Sequence, residues 1–143
     1  MTVKLVLPIT PKAQARPRFT RQGHAYKAKA QRQAEESLCA LLAQHRPEKP
    51  LEGAITMTAT AYLPIPRSWS RKKQAAAREG AIQPTGKPDL DNLVKHLKDC
   101  LTATKFWKDD ALITEYTGIS KRYDDGDGPR WEVSITAMEQ TGK

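Results

Sequence analysis

The run Lys87-Pro88-Asp89-Leu90-Asp91-Asn92-Leu93-Val94-Lys95-His96-Leu97-Lys98-Asp99-Cys100-Leu101 leaves this chain few ways to fold. Leu90, Leu93, Val94, Leu97, Cys100 and Leu101 recur at helical spacing, so the run is a helix whose single apolar stripe has to be buried. Pro88 biases Lys87 towards an extended backbone just ahead of that helix, and Asp89 or Asp91 is placed to cap its first turn. The same spacing gathers Asp91, Lys95, Lys98 and Thr102 on one flank. After a short connection, Phe106-Trp107-Lys108-Asp109-Asp110 leads into a β-like run from Ala111, which is expected to bring a third acid back against the helix start. Three acids so placed can share one cation. Taken singly they read more plainly, as a helix cap and as a turn before a strand.

The remaining segments supply what the stripe packs against. Val3 to Ile9 is a short strand ended by Pro8 and Pro11, and Ala28 to Ala43 is a helix closed by Pro47 and Pro50. Gly53 to Leu63 alternates Ile55, Met57, Ala59, Ala61 and Leu63 against mostly Thr, the pattern of a half-buried strand. Ser68 or Ser70 caps a short basic helix that ends near Gly80, and a mobile loop from Gly80 to Lys87 follows. Ala111 to Tyr123 and Arg130 to Met138 read as strands joined by a hairpin turn at Asp124 to Pro129. The turn's acids lack the twelve-residue loop and closing Glu of a calcium site. The expected fold is α+β: one domain over residues 1–143, with a mixed sheet of about four strands flanked by helices.

Charge narrows the partners. The 24 Lys and Arg against 16 Asp and Glu give +8, and from Met1 to Ala34 there are eight basic residues and no acid. Such a segment suits an anionic polymer, nucleic acid before membrane. Arg16, Arg18 and Arg21 lie in a loop with Phe19 and Tyr26 interleaved, and a second basic element surrounds Trp69. Phe19 and Trp69 are candidate stacking groups for opened bases, with core packing the favoured role for Trp69. Cys39 and Cys100 fall in helices among apolar neighbours, which fits a reduced, cytoplasmic setting. No apolar run is long enough for a membrane span. His24, His45 and His96 are too scattered for a histidine-led metal site and are read as surface residues.

Pro-Asp-Leu-Asp-Asn-Leu, Lys95 one turn after Asp91, and Phe-Trp-x-Asp-Asp resemble the RusA family of Holliday junction resolvases, closely across 87–116 and more weakly over the whole chain. The resemblance implies a homodimer built on a β-sheet flanked by helices. It also implies an endodeoxyribonuclease that resolves four-way junctions by paired nicks, leaving 5′-phosphate and 3′-hydroxyl ends. Its metal-binding and catalytic acids carry over to Asp89, Asp91 and Asp110, with Asp109 the close competitor, and its catalytic lysine to Lys95. A cage of carboxylates suits Mg²⁺, with Mn²⁺ as a substitute. Lys87 joins Arg16, Arg18 and Arg21 as an expected DNA contact, and Asn92 is a cap, a support of the acids or a phosphate contact. Two features depart from the pattern: Pro64 to Lys87 is long for a compact resolvase, and Lys108 adds a charge beside the acids. Rival readings are a non-catalytic nucleic-acid-binding module and a nuclease for flaps or other branched DNA.

Overall fold

A computed structural model describes residues 1–14, 18–19, 21–23, 25–26 and 29–138. In chain order the elements are β1 (Thr2–Leu7), β2 (Arg18–Phe19), β3 (Ala25–Tyr26), α1 (Lys29–Ala43), β4 (Ala54–Leu63), α2 (Arg71–Arg78), α3 (Leu90–Ala103), a 3-10 turn (Asp110–Leu112), β5 (Ile113–Tyr123) and β6 (Arg130–Met138). The main sheet has the order β1-β6-β4-β5, with β4 and β5 parallel and the other neighbours antiparallel. This is the α+β fold with a four-stranded mixed sheet expected from sequence. A parallel pair needs a long crossover, and the segment carrying α2 and α3 provides it.

Two expectations about the strands are corrected. β5 and β6 do not form a hairpin, because β6 lies between β1 and β4, and Asp124–Pro129 carries the chain across the end of β4. Trp131, Val133, Ile135 and Ala137 are all buried and suit an interior strand, whereas β5 exposes residues 114–118 and takes the edge. The basic loop before α1 also contains a two-stranded antiparallel ribbon, β2 with β3, pairing Arg18 with Tyr26 and Phe19 with Ala25.

The alternation in β4 settles its faces. Ile55, Met57, Ala59, Ala61 and Leu63 are buried with Leu38 and Leu42 of α1 and with Leu93, Val94, Leu97 and Leu101 of α3. On the other face hydroxyls pair across strands, Thr58 with Thr117 at 2.6 Å and Thr60 with Ser120 at 3.2 Å. Cys100 is buried where α3 meets α1; desolvation first, then Cys39 beside it, pushes its thiol up, and both cysteines are free. His96 is buried as well, against the expectation of a surface position, with its Nδ1 3.4 Å from Gln31 Nε2. It widens the apolar stripe on the side where α3 meets α1, while His45 is exposed and His24 lies outside the described residues.

Two turns deliver the acids. α2 is capped by Ser70, whose hydroxyl accepts from the Lys73 amide at 3.2 Å. α3 ends in a left-handed residue, Lys105 at φ 67°, with Lys105 N donating to Thr102 O and Phe106 N to Leu101 O, each at 3.1 Å. That reversal plugs Phe106 and Trp107 into the core, where the indole N–H donates to Thr102 Oγ1 at 2.7 Å. Asp109 and Asp110 emerge immediately after this plug.

Candidate active site

Asp89 occupies the N-cap position of α3, yet its side chain makes no capping hydrogen bond. Both it and Asp91, in the first turn, are exposed. These carboxylates therefore stand beside the helix's unpaired N–H groups without being consumed by them. Lys95 is exposed one turn on from Asp91, and no ion pair joins the two among the described residues, so the simple surface pair is not formed. Asn92 contributes its backbone instead: its carbonyl accepts from Gln14 N at 3.1 Å and fastens the chain after β1 to the helix start.

The loop ahead of Asp89 is held at both ends. Gln83 Nε2 donates to Gly80 O at 2.7 Å, and Lys121 Nζ donates to Gly86 O at 2.7 Å and to Pro88 O at 2.9 Å. Lys121 thus grips the backbone on both sides of Lys87, whose own side chain is exposed. Sequence reasoning passed over this lysine. The available signal was its register: it shares the inward phase of β5 with Ile119 and Tyr123, where an unpartnered charge is costly.

The adjacent acids at the other end separate by role. Asp109 Oδ1 accepts from Ala111 N at 2.9 Å and caps the 3-10 turn, while the Asp110 carbonyl accepts from Ile113 N and its carboxylate makes no hydrogen bond or ion pair with the described residues. Their position corrects the expected convergence. β5 runs back along α3, with Lys98 Nζ 5.6 Å from the Tyr116 ring and Lys121 at Gly86 and Pro88, so the strand's start lies towards the C-terminal end of the helix. The 14 residues of α3, about 21 Å of helix, thus set Asp110 apart from Asp89 and Asp91. Among the described residues no group of three His, Cys, Asp or Glu side chains gathers closely enough to hold a metal ion. Asp89 and Asp91 alone still fit a hard divalent cation in kind, as uncommitted oxygen donors on one turn, because Mg²⁺ keeps several waters.

Of the expected DNA contacts, Lys87 and Arg21 are exposed. Arg18 contributes backbone to β2, and Arg16 lies outside the described residues. Trp69 is half-buried rather than in the core: its ring meets Tyr123 edge-on at 5.4 Å, with Lys73 Nζ 4.0 Å above it. Arg130, buried at the start of β6, donates to Asp125 at 3.0 Å and to Glu132 at 2.8 Å, and lies 3.9 Å from the Tyr62 ring. Hydrogen bonding from Arg130 holds the Asp125 carboxyl below the usual carboxylate range.

Uncapped acids at a helix start, a lysine one turn away and cationic loops beside them are groups of the kinds that a metal-assisted nuclease uses. The family model described as endodeoxyribonuclease RusA matches residues 8–136, and the chain belongs to that family. It is thereby a Holliday junction resolving endodeoxyribonuclease that binds branched DNA, of a kind that depends on a divalent metal. The chain is also 37% identical over 130 residues to the Bacillus subtilis (strain 168) protein entitled "Uncharacterized protein YqaN", covering 87% of this chain and 89% of that one. None of the described helices is long and apolar enough to cross a membrane.

Proposed function

We propose that the chain works as a homodimer that resolves four-way junctions by paired, Mg²⁺-dependent nicks. The observation that carries this reading is the uncommitted pair Asp89 and Asp91 with Lys95 one turn on, in a family of junction-resolving enzymes. Asp89 and Asp91 would hold the cation, and Lys95 would offset the negative charge that grows on the phosphate oxygens during hydrolysis. When bound, the divalent ion supplies charge neutralisation at phosphorus and a more acidic water. Arg16, Arg18, Arg21 and Lys87 neutralise flanking phosphates and set register without reading sequence.

The separation of Asp110 from the other two acids favours a shared site, in which Asp110 of one protomer completes the acidic pair of its partner. Isologous pairing then makes two equal sites across a two-fold axis, one for each strand to be cut. The test compares a mobile four-way junction, a fork, a flap and linear duplex in Mg²⁺ and in Mn²⁺. Symmetric nicks confined to the junction, with ends that ligase seals, support the proposal. Faster cutting of flaps would make this a flap nuclease, and no cutting of any substrate would leave a binding module.

A further inference from the structure

Beside the acidic pair lies a cleft of about 820 Å³ whose walls are each fastened to the fold. One wall is the segment after β1, tied to α3 through Gln14 N and Asn92 O at 3.1 Å. A second is Gly86 to Pro88, gripped by Lys121. The third is the end of β4, where Asp124 N donates to Leu63 O at 2.8 Å and so fixes Tyr123 beside it. Fastening of this kind makes a site that exists before its ligand arrives.

The lining selects the occupant. Pro64, Pro66, Pro84 and Pro88 with Tyr123 present flat apolar surfaces, and the Tyr123 ring is itself braced edge-on by Trp69. Lys12 and Lys87 supply cationic groups, and Asp89 and Asn92 form the border with the acidic pair. Flat apolar walls receive the face of an aromatic base, lysines receive the phosphates on either side of it, and the border with Asp89 puts the cut phosphate next door. A base stacked inside a duplex cannot reach such a cleft, but a base at a strand exchange has lost part of its stack.

We infer that this cleft takes one unstacked nucleoside of the strand being cut, adjacent to the scissile phosphate. The inference rests on the acidic pair being the cutting end, and it makes the cleft a reader of the nucleotide beside the nick. Recognition of the branch and recognition of that nucleotide are then one event.

The experiment uses the full-length wild-type protein and four-way junctions in which a single abasic nucleotide is moved through the positions flanking the cut. One position is expected to slow nicking about tenfold, the scale of losing one stacked base, with a smaller change in junction Kd. Uniform slowing, or none, overturns the inference. The same series is then run with Gly86→Phe, where an added Cβ meets nothing within 4 Å, and with Tyr123→Ala, each checked for an unchanged folded spectrum. In either variant the abasic and intact junctions should be nicked alike, and persistence of the wild-type positional effect in both would place the base elsewhere. Failure of the acidic-pair reading shows separately, as wild-type cleavage by Asp91→Asn.

Discussion

At Asp91 the carboxylate is exposed and tied to nothing in the described fold, so its removal should change chemistry and little else. Asp91→Asn is expected to lower nicking by about 100-fold or more while junction binding in gel shift survives, and Lys95→Ala to reduce kcat far more than affinity. Wild-type cleavage by the first variant would remove the metal assignment, and equal losses of turnover and binding in the second would make Lys95 a backbone contact. Lys121 acts one step further back, through the carbonyls that place Asp89. Lys121→Met should cost about 10–100-fold in nicking, as losing the support of a ligand does, and raise the Mg²⁺ midpoint, with Lys121→Arg restoring part of both. If Lys121→Met instead flattens the salt dependence of binding at an unchanged Mg²⁺ midpoint, the lysine contacts DNA.

The loop between β5 and β6 shows how an element depends on titration. Asp125 is ionised at lower pH when folded than when unfolded, because Arg130 donates to it, so its stabilisation is complete above the ordinary carboxylate range and is lost as pH falls through the folded value. Asp125→Asn should therefore weaken the protein at neutral pH and make its thermal stability less sensitive to acid below about pH 4; parallel acid curves for both proteins would refute the link. The same region marks where sequence reading reached its limit. In β4 a period of two states directly which side is buried, and α3 was legible for the corresponding reason. Adjacent strands default to a hairpin, and only the burial of Trp131, Val133, Ile135 and Ala137 against the exposed first half of β5 reveals that β6 is interior. Asp89 and Asp91 were readable because they are local to one turn. The place of Asp110 was not, since it depends on the reversal at Lys105 and on the direction of β5 along α3.

For the whole molecule, a site shared between protomers makes a prediction that a site within one chain does not. Asp91→Asn and Asp110→Asn proteins are each expected to be inactive, but a mixed dimer unites the intact Asp91 of one with the intact Asp110 of the other and should nick one strand of a junction. No activity on mixing, with subunit exchange verified by mass, would return all three acids to one chain; a monomer that makes paired cuts would end the dimer proposal. Binding should scale with the basic segments: replacing Arg16, Arg18 and Arg21 by Gln is expected to weaken binding to every DNA and lower the log–log salt slope by ~0.9 for each lost contact. An unchanged slope removes them from the interface. The sheet order also carries a consequence for how the chain folds. β6 is the last of the described strands in chain order, yet it fills the place between β1 and β4, pairing Thr136 with Thr2 and with Thr56. Closing the sheet therefore depends on pairing between the two far ends of the fold, the kind of non-local contact that forms slowly.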